Sequence, residues 1–152
     1  MSARTLLTGL GLATLGSLVA AMPALASCTI STTSVSFGSY NVFATSPTDS
    51  TGSVSYNCFL SLGNITIFLN KGSASSFNPR RMLRGSEALN YNLYRDAART
   101  TIWGDGTGGT QVFTATIVVS GSATVTIYGR IPAGQDVSVG SYTDSITATI
   151  NF

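Results

Sequence analysis

The sequence predicts an all-β domain built as an antiparallel sandwich or barrel. Apolar residues recur with period 2 in many short runs, and no window after residue 26 holds a 3.6-residue apolar period. The runs are enriched in Thr, Val, Ile and Tyr, which pack well on a pleated surface. Glycine and proline turn signals separate the runs, as is typical of sandwiches and barrels with many short strands.

The predicted strands follow one another with short connections, and together they form one domain. The strands that follow from alternation cover residues 53–58, 64–70, 89–94, 112–119, 123–128 and 142–152. The turn signals between them are Pro47, Leu62 with Gly63, Asn78 with Pro79, residues 104–109, Gly121, residues 132–134 and Gly140. Residues 78–87 contain Arg80, Arg81 and Arg84, and we expect a solvated connecting loop there.

The composition excludes several function classes. Only 14 of 152 residues are charged, the net charge is +2, and serine and threonine contribute 21 residues each. The chain has no histidine, which excludes Ser-His-Asp and Cys-His catalysis. Two cysteines cannot build a four-cysteine zinc site, and the small net charge does not favour nucleic acid as a partner. No motif holds two carboxylates together, so we expect no enzyme activity, metal or cofactor.

The N-terminus has the pattern of a secretory signal peptide. Arg4 precedes an uncharged apolar run over residues 6–21, Pro23 interrupts it, and residues 24–26 supply the small side chains of a cleavage site. The run is about 16 residues long, shorter than the ~20 needed to span a bilayer. We therefore predict cleavage of residues 1–26, a mature domain over residues 27–152, and no integral membrane span after cleavage.

Export changes the interpretation of the two cysteines. An even pair in an oxidising compartment predicts a disulfide between Cys28 and Cys58. A bridge that closes a loop of this size contributes roughly 3–4 kcal/mol. The alternative is a pair of free thiols, whereas a redox role lacks the Cys-x-x-Cys motif.

The last predicted strand has one apolar face that is open to two interpretations. Tyr142, Ile146, Ala148, Ile150 and Phe152 share that face, which Asp144 interrupts near its start. The sequence then stops without a further turn or strand. Either a sheet edge or core groove stays uncovered, which invites pairing with another chain, or the strand pairs on both sides within the domain. The pattern alone leaves both interpretations open.

A glycine-rich loop is a candidate for ligand binding. Residues 104–109 contain a literal G-x-G-x-x-G, but a strand pattern follows where a dinucleotide site requires a helix. The loop is therefore predicted to connect two strands. Trp103 and Asp105 are candidate surface-binding residues, with Tyr91 and Tyr94 as further aromatic groups. This arrangement supports an alternative function, a self-contained secreted domain that recognises carbohydrate or another surface.

Several segments together resemble the spore coat protein U domain family. The Tyr-Asn-Leu-Tyr and Trp-Gly-Asp-Gly-Thr blocks are specific in combination, and the resemblance covers nearly all of the predicted mature chain. The segments are residues 28–33, 35–40, 91–96, 101–107, 129–135 and 140–144.

The resemblance implies an incomplete immunoglobulin-like antiparallel β-sandwich that lacks its last strand. Many members are secreted subunits of archaic chaperone–usher pili. A periplasmic chaperone lends them a strand, and a neighbouring subunit later replaces it. The implied partners are that chaperone, an outer-membrane usher and neighbouring pilus or coat subunits. The implied location is the periplasm, then the cell surface or the medium.

The resemblance also suggests which residues form the acceptor groove. We expect the first strand and the last strand to form its two sides, through Ile30, Val35, Phe37, Ile146, Ala148, Ile150 and Phe152. A shaft subunit of the family carries a donor segment before its first cysteine, whereas only Ser27 precedes Cys28 after the predicted cleavage. We therefore expect a subunit that accepts a strand, at a tip or in a coat that forms no shaft.

Overall fold

A computed structural model describes residues 25–152, and it is all-β throughout that range. The predicted signal peptide lies outside the described residues, except for its last two positions. The described part of the chain contains no helix long and apolar enough to cross a membrane. The strands are β1 (Ser27–Thr33), β2 (Thr48–Leu69), β3 (Arg80–Arg84), β4 (Glu87–Tyr94), β5 (Phe113–Ile131) and β6 (Ala148–Asn151).

The strands form one curled antiparallel sheet centred on β2. The order is β1-β2-β5-β4-β3, and β6 also pairs with β2. β1 pairs with residues 53–59 of β2, and β6 pairs with residues 66–69. Cys28 lies opposite Cys58 in the β1–β2 ladder, and the two form the predicted disulfide. The disulfide prediction is confirmed.

β2 and β5 are far longer than the sequence predicts. The turns expected at Gly63 and Gly121 do not exist, because the two strands pair continuously through both positions. The register shifts between Phe59 and Ser61, and Leu60 and Val119 have left-handed backbone angles (φ 52° and 78°). A β-bulge takes up the additional residue and bends the strand without ending it, so the turn signals mark a bend in one ribbon.

The core follows the predicted alternation. Val54, Tyr56 and Cys58 are buried, and so are the alternating apolar residues of the second half of β2. Trp103 is completely buried in the same cluster, and its indole Nε1 donates a hydrogen bond to the Ile67 carbonyl at 3.0 Å. The inner faces of the curled sheet therefore enclose one core.

The predicted loop at residues 78–87 is instead the strand β3 and the start of β4. Arg80 is completely buried, not solvated. Its guanidinium donates to the carbonyls of Asn70 (3.1 and 2.9 Å) and Trp103 (2.6 Å) and to the Asn92 side-chain carbonyl (2.9 Å). These acceptors offset the cost of burying the charge. Burial lowers the pKa of Arg80 to about 10, which leaves it protonated at neutral pH.

The last predicted strand is mostly irregular. Only Ala148–Asn151 of residues 142–152 forms a strand, although Thr143 makes an isolated bridge to Leu83. Asp144 explains the difference, because its carboxylate accepts hydrogen bonds from the Tyr91 hydroxyl and from the main chain of Ser73. Those contacts replace a regular ladder at this point.

Candidate functional site: an apolar groove between two lips

A groove of about 980 Å³ opens at one side of the curled sheet. Two segments border it, which we call the N-terminal lip (residues 32–43) and the C-terminal lip (residues 137–148). The floor consists of apolar or aromatic core side chains, most of them buried. The floor residues are Leu69, Met82, Leu89, Tyr91, Leu93, Ile127 and Ile131.

Beyond Thr33, where β1 ends, the N-terminal lip is held by side chains and not by a ladder. Within residues 25–152, no main-chain hydrogen bond joins residues 34–40 to another element. The Ser50 hydroxyl donates to the Ser36 carbonyl at 2.5 Å, and the Tyr40 hydroxyl donates to the Pro132 carbonyl at 3.1 Å. Phe37 packs edge-to-face on Tyr91, with ring centroids 5.9 Å apart. Most main-chain N–H and C=O groups of this lip are therefore available for hydrogen bonds to water or to a partner chain.

The C-terminal lip is fastened mainly to Glu87 at the start of β4. The Glu87 carboxylate accepts hydrogen bonds from the hydroxyls of Ser138 and Tyr142, each at 2.6 Å. Arg84 adds an ion pair at 2.9 Å. The bonds from Ser138 and Tyr142, with that of Arg84, lower the pKa of Glu87. Among the described residues, the main chain of the lip pairs with other elements at Thr143 and at Thr147–Ala148, where β6 begins.

A part-buried hydroxyl–carboxylate contact joins this lip to the floor. The Tyr91 hydroxyl donates to Asp144 Oδ2 at 2.6 Å, and the Ser73 main-chain N–H donates to Oδ1 at 2.8 Å. Burial, and then the hydrogen bond to Asp144, raises the pKa of Tyr91, so its hydroxyl keeps its proton. Asp144, which itself lines the groove, thereby fastens the C-terminal lip to the floor.

The comparisons with known proteins agree with this architecture. The family described as Spore Coat Protein U domain matches residues 14–149. The chain belongs to this family. Protein U of Myxococcus xanthus is 35% identical over 109 residues, which cover 67% of this chain and 59% of protein U. The chain thus matches less than two thirds of that relative's length.

A solved structure shows the same fold. It is the CsuC–CsuE chaperone–tip adhesion subunit pre-assembly complex from the archaic chaperone–usher Csu pili of Acinetobacter baumannii. One of its chains superimposes with a TM-score of 0.60 at 24% identity, over 84% of this chain and 40% of that one. This spore coat protein U domain is therefore an incomplete immunoglobulin-like sandwich, as the sequence resemblance implies.

Four of the predicted groove residues line the groove of this spore coat protein U domain. Val35 and Phe37 lie on the N-terminal lip, and Ile146 and Ala148 lie on the C-terminal lip. All four are half-buried against the core. The structure brings the two predicted sides together around one opening.

The other three predicted residues lie outside the groove lining. Ile30 pairs with Tyr56 and Ile150 pairs with Ile67 in the ladders of β2, and both are half-buried against the core. Phe152 is 59% exposed. The assignment of all seven residues to strand exchange stays a prediction.

The predicted surface-binding loop needs a correction at Trp103. Its ring is completely buried under the Ile67 carbonyl, and Tyr91 is buried in the groove floor. Neither ring is available at the surface as an aromatic platform. Asp105 remains exposed, but its carboxylate accepts two hydrogen bonds from Thr107 and shapes its own loop.

Two exposed apolar residues at the groove mouth were missed by the sequence reasoning. Phe43 is 90% exposed and Val139 is 96% exposed, one on each lip. Neither belongs to an alternating run, so the period-2 search passes over them. A usable signal is a large apolar side chain that lies outside the predicted strands, such as Val139 between Ser138 and Gly140.

Proposed function

We propose that this protein is a structural subunit of a bacterial surface pilus or coat, assembled by insertion of a partner strand into the groove. The observation that carries the proposal is an apolar floor between two lips whose main chain is largely unpaired. A floor of this kind takes alternate side chains of an extended segment, while the lips take its main chain. That combination is the chemistry of β-strand addition.

The energy available from such an insertion is considerable. An incoming strand that buries three or four apolar side chains gains about 5–10 kcal/mol before ordering costs. Main-chain hydrogen bonds to the N-terminal lip add to it. The groove has Leu89, Leu93 and Ile131 in its floor, so large aliphatic side chains suit it best. A charged side chain at the same depth would be left without a partner.

Family membership and the fold together suggest the partners. The structural neighbour is described as a chaperone–tip adhesion subunit complex of chaperone–usher pili. By extension, this protein uses a periplasmic chaperone, an outer-membrane usher and neighbouring subunits, on a route through the periplasm to the cell surface. Its work in that setting is mechanical and adhesive rather than enzymatic.

A matched pair of variants tests the groove. Ile146→Asp puts a carboxylate on the groove side of the C-terminal lip, whereas Thr147→Asp puts one on the exposed side of the next residue. We expect affinity-tagged wild type and Thr147→Asp to co-purify with a two-domain chaperone from the native periplasm. Ile146→Asp should lose that chaperone.

A peptide assay separates groove loss from misfolding. An extended peptide with alternating valines should bind purified wild type and raise its unfolding temperature, because it binds only the folded state. The proposal fails if Ile146→Asp binds chaperone and peptide as the wild type does. It also fails if the wild type is a stable monomer that binds neither the chaperone nor the peptide.

A further inference from the structure

The second edge of β5 is left without a partner over most of its length. One edge pairs with β2 from Phe113 to Ile131. The other edge pairs with β4 only at residues 128–130. Within the described range 25–152, no other main-chain group bonds to residues 114–127 on that side. The strand therefore offers a long row of N–H and C=O groups.

This edge lacks the features that normally block pairing. Edge strands of monomeric proteins are short, or carry lysine or proline, or are covered. From residue 113 to residue 129 the chain has no charged residue and no proline. It reads Phe-Thr-Ala-Thr-Ile-Val-Val before the bulge and Ala-Thr-Val-Thr-Ile after it, which is strongly strand-forming. Such an edge is a template for another strand.

Exposed apolar side chains also lie at the bulged middle of the β2–β5 ribbon. Leu62, Val118 and Phe59 are 76%, 74% and 60% exposed, and Val119 is 52% exposed. Leu62 and Val118 are direct partners across the β2–β5 ribbon, and Val118 and Val119 lie on the strand that carries the free edge. Grouped exposed apolar side chains of this kind mark an interaction surface more often than isolated ones do.

We infer that the β5 edge pairs antiparallel with the β5 edge of a second copy of this chain, with the exposed Val118 and Val119 at the contact. In a two-fold dimer the same strand of each copy forms both sides of the contact, so β5 residues pair only with β5 residues of the other copy. Like charges opposite one another destabilise such a pair, and a charge-free strand avoids that penalty. The contact is separate from the groove and leaves the groove free for a strand of another subunit.

The first test is the mass of the purified protein in solution, measured by light scattering over a range of concentrations. We expect the wild type to approach the mass of two chains as the concentration rises. Val118→Lys should return it to one chain, because it puts a lysine of each copy on an edge whose pairing depends on the absence of charge. Ser75→Lys adds the same charge on an exposed loop and should leave the dimer intact. A wild type that stays a monomer would overturn the inference.

Cysteine cross-linking tests the pairing itself. Cys28 and Cys58 are the only cysteines and are joined, so an introduced cysteine is the only free thiol. Single cysteines at residues 118, 120, 122 and 124 should cross-link two chains most strongly at one position, where the strands come within disulfide reach. The inference is wrong if none cross-links better than Ser75→Cys.

The groove peptide identifies the remaining alternative. Excess alternating-valine peptide should leave the dimer mass unchanged, since it occupies the groove and not the edge. If the peptide dissociates the dimer, or if Val118→Lys remains a dimer, association goes through the groove and the edge inference fails. The proposed function would survive either result.

Discussion

Replacing the buried Arg80 with methionine should destabilise the fold more than any other single change of a charged residue. Arg80 lies on β3 with no exposed surface, and its guanidinium ends within hydrogen-bond distance of Asn70, Asn92 and Trp103. Methionine keeps most of the apolar stem, so it still covers the Phe77 ring beneath the guanidinium. What the change removes is the set of donors.

The magnitude follows from the acceptors that lose their donor. The Asn92 side-chain oxygen keeps the N–H of Leu93, but the carbonyls of Asn70 and Trp103 have no other donor within the described residues. The orphaned Trp103 carbonyl is buried and costs roughly 1–3 kcal/mol, and the lost charged hydrogen bonds to Asn70, an exposed residue, add about 1.5–3 kcal/mol. Removing a buried positive charge returns part of that, because its desolvation no longer opposes folding. We expect a net loss of about 2–4 kcal/mol.

Urea unfolding followed by tryptophan fluorescence measures this loss directly. Trp103 is the single tryptophan, it is completely buried, and its own carbonyl is one of the orphaned acceptors. Arg81→Met is the matched control on the same strand, where the side chain is exposed, and it should change the free energy of unfolding by less than about 0.5 kcal/mol. If Arg80→Met costs no more than Arg81→Met, the hydrogen-bond argument is refuted.

Three further predictions follow from the same contacts. Replacing both Cys28 and Cys58 with alanine opens a loop with a sequence separation of 30 and should lower the free energy of unfolding by about 3–4 kcal/mol; a reductant should then destabilise the wild type but not the variant. Hydrogen bonds from Thr100 and Thr101 lower the pKa of Asp96 from 3.8 to about 2, so its stabilisation is complete above about pH 4 and is lost as the pH falls toward 2. Asp96→Asn should remove that part of the pH dependence of the urea midpoint, and an unchanged profile would contradict the assignment. Gly129→Ala would place a Cβ 2.6 Å from Val35 Cγ1 and 2.7 Å from Phe37 Cζ, so it should displace the N-terminal lip, cost about 1–3 kcal/mol and weaken binding of the groove peptide. Wild-type peptide affinity in that variant would show that the lip position does not govern the groove.

The strands with a strict two-residue period could be predicted because burial on one face is enough to define them. Val54, Tyr56 and Cys58 are inward in the structure as the alternation requires, and so are Leu89 and Leu93. A one-residue slip would expose all of them at once, which is why the pattern is informative. Ile146 also follows from the apolar face of the last predicted strand, whereas Val35 follows from the family resemblance.

Features that depend on non-local partners could not be predicted from the pattern. Gly63 and Gly121 carry turn signals, yet each faces a strand residue across an unbroken ribbon. Arg80 is a charged residue in a segment with loop-like composition, so the sequence predicts exposure. It is buried because acceptors that are distant in sequence converge on it. Local sequence indicates which secondary structure a residue favours. The long-range pairing of β2 with β5 determines which of the favoured structures forms.

Asp144 links the irregular structure of residues 142–147, which the sequence pattern does not predict, to the proposed function. A regular strand over residues 142–152 would pair its main chain fully or close the sheet at this side. Because the carboxylate instead accepts from Tyr91 and from Ser73, the C-terminal lip is fixed at the groove by its side chains. Glu87 also fastens this lip, because its carboxylate accepts a hydrogen bond from the Tyr142 hydroxyl. A lip held in this way keeps its position while much of its main chain stays available, which is the condition that an inserted strand requires.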